Sequence, residues 1–267
     1  MIRKLTENHR KMTLEFLNHE PAINLFIIGD IENFGFDEDF QELWGSFDDA
    51  NQLQGVLLRF NENFIPYYKN DNFDITDFRN MIASNNIPKK IISGKESIVK
   101  RFKEVLRSPK EKSMYFCELR DSSKLREYGD DIQIAVENDA RRIYDLLENI
   151  EEFQTTDTNS VERIQKVISS KAGRIYFVED KEGELLTVSQ TTSETSTSAM
   201  VVGVATRKEQ RGKGLMSQCL SKLCHDVLEE GKTLCLFYDN PKAGSVYHSI
   251  GFESIDRWMM LIEGKLQ

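Results

Sequence analysis

The 267-residue chain has no apolar run near the roughly 20 residues that a membrane span needs, so no membrane association is expected. Its basic start, MIRKLTENHRK, is not followed by the apolar stretch of a secretory signal, and the expected address is cytoplasmic. Lys and Arg total 35 against 44 Asp and Glu, a net charge of -9, with no long basic stripe. That balance argues against neutralising a run of phosphates, so nucleic acid is not an expected partner. A local basic pocket for one phosphorylated ligand is still compatible with it. There are only four cysteines, Cys117, Cys219, Cys224 and Cys235, and none forms C-x-x-C. The four histidines, His9, His19, His225 and His248, show no metal-ligand spacing, so no metal is expected. Three of the cysteines sit in apolar surroundings, where a free thiol packs as a small core residue. Two phosphate loops are missing as well. No G-x-x-x-x-G-K-[ST] occurs, Gly94-Lys95-Glu96-Ser97 reads as a polar helix start, and the dinucleotide fingerprint lacks its third glycine.

Hydrophobic residues at 39% and charged residues at 30% are enough to build and solvate a globular core. The length allows one large domain or two ordinary ones. Arg120–Asp131, RDSSKLREYGDD, is polar and aperiodic and reads as a linker. It divides the chain into an N-terminal α/β domain over 1–120, a linker over 121–131 and a C-terminal domain over 132–267. Before it, Met12, Leu14, Phe16 and Leu17 suggest a helix, and Asn24–Phe34 a second. Leu43–Phe47, Leu53–Phe60, Phe64–Tyr68 and Met114–Leu119 read as strands. Ile98, Phe102, Val105 and Leu106 recur at helical spacing. After it, Ile132–Val136 is a short strand, and Asn138 is the expected cap of a helix carrying Ile143, Leu146, Leu147 and Ile150. Val161–Ile168 is a helix, and Arg174–Glu179, Glu184–Thr192, Ala199–Thr206, Thr233–Tyr238 and Ser254–Glu263 are strands. The Ser/Thr-rich run Thr191–Ser198 reads as a hairpin turn. The fold class is α/β (α+β).

The informative segment is Val201–Met216, VVGVATRKEQRGKGLM, where a strand runs through a turn into a helix. Leu215, Cys219, Leu220, Leu223, Val227 and Leu228 give that helix an apolar face, and Gly231 ends it. At its entry stands Arg211-Gly212-Lys213-Gly214. Glycines there do not favour helix, but they let a ligand approach the backbone, and a helix N-terminus offers free N–H donors to a pyrophosphate. Taken alone, the turn reads equally as a solvated basic reversal. Asp239–Phe252, DNPKAGSVYHSIGF, is a second helix, with Asn240 as cap, Pro241 in first position and Gly251 as terminator. Ala243 is small enough for close approach. Tyr247 alone would read as a core residue.

In this order, strand, R-G-K-G-L-M, amphipathic helix, strand and N-P-x-A-x-x-x-Y-x-x-x-G-F resemble the GNAT (GCN5-related N-acetyltransferase) superfamily. Its loop pattern Q/R-x-x-G-x-G/A falls here on Arg211-Gly212-Lys213-Gly214-Leu215-Met216, with Met216 in place of the final small residue. The resemblance covers Ile132 to the end and implies a mixed, splayed sheet flanked by helices, with acetyl-CoA as co-substrate. It implies that Val202, Val204, Ala205 and Thr206 line the pantetheine arm as an added strand would. Gly203 then signals a bulge, and the N–H near Val204 would polarise the thioester carbonyl. By the same resemblance Arg211, Gly212, Lys213, Gly214, Leu215, Met216 and Ser217 hold the pyrophosphate, Asn240 contacts the cofactor arm, and Tyr247 protonates the leaving thiolate.

The implied reaction is direct acetyl transfer to a primary amine of a small molecule or amino acid in a ternary complex. Glu137, Glu151, Glu152 and Glu194 border the expected acceptor cleft as candidate bases, with water as the alternative. The N-terminal half lacks the loop, and its element order resembles a second, degenerate GNAT-like domain that shapes the acceptor cleft. Two-part acetyltransferases with a glycine-acyltransferase-like C-terminal half share this layout, and an unrelated α/β domain is the other reading. Asn24, Trp44, Tyr67 and Tyr68 read as core or cleft lining. The competing function is a non-catalytic acyl-CoA sensor or scaffold, and a transferase using aminoacyl-tRNA is disfavoured by the acidic charge.

Overall fold

A computed structural model describes residues 1–150 and 160–264. In chain order the elements are β1 (Ile2–Lys4), α1 (Arg10–Leu17), α2 (Leu25–Phe34), β2 (Gln41–Phe47), β3 (Leu53–Phe60), β4 (Asn63–Tyr68), α3 (Thr76–Ser84), β5 (Ile91–Lys95), α4 (Glu96–Val99) and β6 (Lys110–Leu119). There follow β7 (Gln133–Ile134), α5 (Ala140–Glu148), α6 (Val161–Ser170), β8 (Ile175–Glu179), β9 (Leu185–Thr192), β10 (Ser198–Thr206), α7 (Leu215–Glu229), β11 (Thr233–Tyr238), α8 (Pro241–Ser249) and β12 (Glu253–Ile262). Short 3-10 turns, Glu7–His9 and Glu137–Asp139, lead into α1 and α5.

The chain forms two compact units, Met1–Phe116 together with Ile255–Gln267, and Cys117–Ser254. The polar segment Arg120–Asp131 therefore lies inside the second unit, where the Arg126 N–H donates to Ser221 Oγ on α7 at 2.9 Å. The last strand, from Ile255, clusters with the first unit.

Each unit has the same plan. In the first, β1 to β4 form an antiparallel meander, β5 adds parallel to β4, and β12 pairs antiparallel with β5. In the second, β7 to β10 form the meander and β11 adds parallel to β10. The N-terminal half thus repeats the C-terminal topology, as its element order suggested. The repeat extends to the helix entries. The Thr6 N–H donates to His9 Nδ1 at 3.1 Å, and the Val136 N–H donates to Asp139 Oδ2 at 2.9 Å. The carboxylate that closes the α5 entry therefore belongs to Asp139, not Asn138, because a 3-10 turn intervenes and moves the helix start onward.

The second unit's core gathers on both faces of its sheet. On one face Cys219, Leu220, Leu223, Cys224 and Val227 of α7 are fully buried against Tyr176, Val201, Leu234 and Leu236. Each Leu or Val there is worth about 1.5–3 kcal/mol of burial, which anchors α7 firmly to the strands beneath it. On the other, Ile143, Leu146 and Leu147 of α5 and Ile164 of α6 pack on Ile175, Phe177 and Val188. All four cysteines are free and buried. In the first unit Tyr67 and Tyr68 are core residues. Asn24 is buried too, its Nδ2 donating to Leu17 O at 2.8 Å, while Trp44 is half-buried.

Candidate active site

Strand β10 parts from its neighbours at one place. Its parallel register with β11 runs from Ser198↔Thr233 to Val201↔Leu236, yet β10 continues to Thr206. On its other side the antiparallel register with β9 jumps from Val202↔Gln190 to Ala205↔Val188. Gly203 and Val204 fall in that jump, a β-bulge that bends the strand away from β11. Only glycine suits position 203. Its φ is +56°, and a Cβ there would lie 2.3 Å from the Gln190 amide nitrogen. Buried Gln190 thus shapes the bulge from β9, which nothing in the sequence announced. Val202 is exposed and Val204 half-buried, so this edge of β10 is accessible, while Ala205 and Thr206 are buried and paired with β9. Thr187 Oγ1 donates to Ala205 O at 2.8 Å and lies 2.8 Å from Thr206 Oγ1, pinning the strand end.

Beyond Thr206 the chain makes a 3-10 turn, Lys208–Gln210, and enters α7 through Arg211-Gly212-Lys213-Gly214. Both glycines have positive φ, +81° and +82°, and a Cβ at either would meet nothing within 4 Å. They are there for backbone conformation and an open surface, not to avoid a neighbour. Gly214 is the N-cap and has no side chain to cap the helix. Among the described residues, the N–H groups of Gly212, Lys213, Gly214, Leu215, Met216 and Ser217 have no acceptor. A row of free donors at the positive end of a 15-residue helix is an anion cradle. Arg211 Nε holds the turn by donating to Thr206 O at 3.2 Å, and Lys213 Nζ donates to Gln210 Oε1 at 2.7 Å. Met216 contributes its N–H to the first turn whatever its side chain, so its departure from the family pattern leaves the donor row intact.

Helix α8 follows β11. Asn240 Oδ1 accepts from the Lys242 N–H at 2.9 Å, capping the helix as expected, with Pro241 in first position. Gly244, next to Ala243, allows a close approach by Tyr238. A Cβ on it would sit 2.4 Å from the Tyr238 ring. Tyr247 is half-buried beside Tyr238 and Phe252, both with ring centroids at 6.1 Å. Burial pushes its phenol up, so it stays protonated over the neutral range. Tyr238 and His248 form a pair the sequence did not suggest, with OH···Nε2 at 2.9 Å.

The candidate carboxylates fare differently. Glu194 is locked by Arg174, with contacts at 2.9 and 2.7 Å, by Thr191 Oγ1 at 2.6 Å and by Lys232 at 3.4 Å. Burial pushes its carboxyl up, but the bonds from Arg174 and Thr191 more than reverse that, leaving it below its usual range. An anion held so firmly is a poor proton acceptor. Glu137 lies exposed in the turn before α5, and Glu151 and Glu152 fall outside the described residues.

The equivalent place in the first unit is closed to an anion. Between β4 and α3 the chain has no glycine, and Asp74 Oδ1 already accepts from the Thr76 N–H at 2.9 Å and from its hydroxyl at 2.6 Å. Asp71 and Asp77 flank it, and Arg101 donates to Phe73 O and Tyr68 OH, both at 2.8 Å. Among the described residues no cluster of His, Cys, Asp or Glu could hold a metal ion, and no helix is long and apolar enough to cross a membrane.

A model of the GNAT acetyltransferase family matches residues 60–261. No curated protein matches the chain. Among solved structures, a tandem GNAT protein from the clavulanic acid biosynthesis pathway superposes with a TM-score of 0.61 at 14% identity, covering 100% of this chain and 99% of its own. A GCN5-related N-acetyltransferase from Sphaerobacter thermophilus gives 0.65 at 12% identity, covering 100% and 97%. A Drosophila protein gives 0.73 at 10% identity, covering 98% of each chain. At such identities these likenesses speak for the fold, which in the tandem protein spans the whole length. The family match extends over most of the chain and takes in the bulged strand, the glycine turn and the tyrosine helix, and the protein belongs to the GNAT acetyltransferase family.

Proposed function

We propose that the second unit transfers an acetyl group from acetyl-CoA to a primary amine of a small molecule or amino acid, by direct attack in a ternary complex. The observation that carries this reading is the parting of β10 from β11 at the Gly203 bulge, which leads straight into the donor row at the start of α7. A slot beside a strand edge suits a pantetheine amide chain, and an open helix N-terminus suits a pyrophosphate.

In this reading Val202, Val204, Ala205 and Thr206 offer the strand edge. The N–H groups from Gly212 to Ser217 hold the pyrophosphate, with Arg211 and Lys213 adding charge. Asn240 spends its Oδ1 on the helix cap, which leaves its amide nitrogen as a donor to the cofactor arm. The Val204 N–H polarises the thioester carbonyl as negative charge develops there. Tyr247 supplies a proton to the departing sulfur. Burial keeps that proton on the phenol, and among the described residues the hydroxyl has no competing hydrogen-bond partner.

The test is calorimetric titration with acetyl-CoA, with dephospho-CoA and ATP as controls, followed by thiol release across an amine panel. One-site acetyl-CoA binding with turnover on an amine supports the reading. Binding without turnover on any amine would instead favour an acyl-CoA sensor, and no binding would overturn both.

A further inference from the structure

Strand β9 carries a polar side chain on a face that is otherwise apolar. Ile175, Gln190 and Val202 lie opposite one another on β8, β9 and β10, so they share the side of the sheet on which α5 and α6 pack. Ile175, Phe177, Val188 and Ala205 belong to the core there, and Gln190 is only 9% exposed beside them. A buried amide is destabilising unless it is hydrogen-bonded. Gln190 finds its partner at the bulge. Its Nε2 donates to Gly203 O at 3.5 Å, and it lies so close to Gly203 that a Cβ there would be 2.3 Å from it. We propose that Gln190 is a positioning residue for acetyl transfer, holding the Gly203–Val204 peptide so that the Val204 N–H faces the thioester, an inference that rests on the transfer reading above.

Peptide geometry connects the two atoms. In a trans peptide the carbonyl and the N–H that follows it point in opposite directions within one plane. With the Gly203 oxygen drawn to Gln190 on β9, the Val204 N–H points away from Gln190, towards the side on which β11 has parted from β10. The φ of +56° at Gly203 is what turns that plane out of the regular ladder. A second fastening lies just beyond. Buried Thr187, also on β9, donates from Oγ1 to Ala205 O at 2.8 Å. Val204 is therefore flanked by two carbonyls that β9 side chains hold in place.

Donation to the Gly203 oxygen also polarises the peptide, which makes the Val204 N–H a stronger donor. Negative charge gathers on the thioester oxygen only as the amine attacks. A donor already aimed there binds more strongly in the transition state than in the ground state, so it acts on kcat and not on cofactor affinity. Gln190 acts through the peptide in this scheme and touches neither substrate.

Gln190→Met and Gln190→Glu in the full chain test the proposal. Met has nearly the length of Gln and no donor. Glu lacks the donor when ionised and regains it when protonated, and its row neighbours Ile175 and Val202 do not titrate. The readouts are acetyl-CoA affinity by calorimetry, thermal unfolding, and kcat from thiol release at saturating acetyl-CoA and amine. Both variants should bind acetyl-CoA as the wild type does, and Gln190→Met should lose about 10²-fold in kcat. Gln190→Glu should lose as much at about pH 8 and recover, relative to the wild type at the same pH, as the pH falls towards about 5. Wild-type kcat in Gln190→Met would overturn the proposal. So would a loss of acetyl-CoA affinity as large as the loss of kcat, which would mean that Gln190 only shapes the slot. If Gln190→Met does not fold, a ratio of Gln190→Glu to wild type that fails to rise at low pH overturns it. Absence of acetyl-CoA binding, or of turnover with any amine, in the wild type would instead overturn the transfer reading beneath it.

Discussion

Gly214→Val separates the anion cradle from the helix that presents it. Gly214 is the N-cap of α7 at φ +82°, and its Cβ position is empty space. A valine therefore meets no neighbour, and its cost is conformational, about 1–2 kcal/mol for a side chain in left-handed backbone. The chain escapes that cost by rotating, which turns the N–H groups of Gly214, Leu215 and Met216 away from their common focus. If two charge-assisted bonds to the pyrophosphate are lost at about 1.5–3 kcal/mol each, affinity falls by roughly 10² to 10⁴. The helix supplies its own control. Gly231 follows the other end of α7 at φ +77°, again with nothing within 4 Å of its Cβ position. Gly231→Val should cost the same 1–2 kcal/mol of stability and leave the cofactor untouched. Calorimetry with acetyl-CoA and thermal unfolding of both variants make the comparison. Equal affinities in the two folded proteins would refute the cradle.

Three more outcomes are expected. Tyr247→Phe should keep acetyl-CoA affinity and lower kcat by about 10²-fold, measured by thiol release under saturating cofactor; undiminished kcat across the pH range would remove the phenol from the mechanism. Gly203→Val should weaken acetyl-CoA binding and stability together, because the side chain would meet the Gln190 amide in a left-handed backbone; pairing it with Gln190→Ala should recover part of the loss, read by thermal melts. Asp30 on α2 has its carboxyl pushed up to about 7 by burial, so the folded state holds its proton more tightly than the unfolded state does. Its contribution is therefore complete below the ordinary carboxylate value and is lost as pH rises through 7. Asp30→Asn should gain stability over the wild type by at most about 1.4 kcal/mol per pH unit across that window, and denaturant melts at pH 4 and 7 with equal differences would refute this.

Much was legible because it is local. Alternating and helical periodicity located most strands and helices, since burial of one face follows from spacing alone, but not β1, α3 or β5. The glycine turn before Leu215 and the Asn240-Pro241 cap were legible because glycine permits, and proline fixes, particular backbone angles wherever they occur. Asn138 was misread as a cap because a 3-10 turn and an α-helix start share the same capping residues, and only the backbone shows that Asp139 closes the entry. Glu194 stood among the candidate carboxylates because its partners, Arg174 and Lys232, lie 20 and 38 residues away.

The sequence by itself determined the fold class, the family motif and the conformation of each glycine turn, since those depend on residues adjacent in the chain. Tertiary structure alone decided that Gln190 crowds Gly203 from the neighbouring strand. It also decided that Gly244 admits the Tyr238 ring and so brings that phenol to His248. The reason is the same in each case. A hydrogen bond or a steric limit acts over about 3 Å, and only the fold sets which residues come that close.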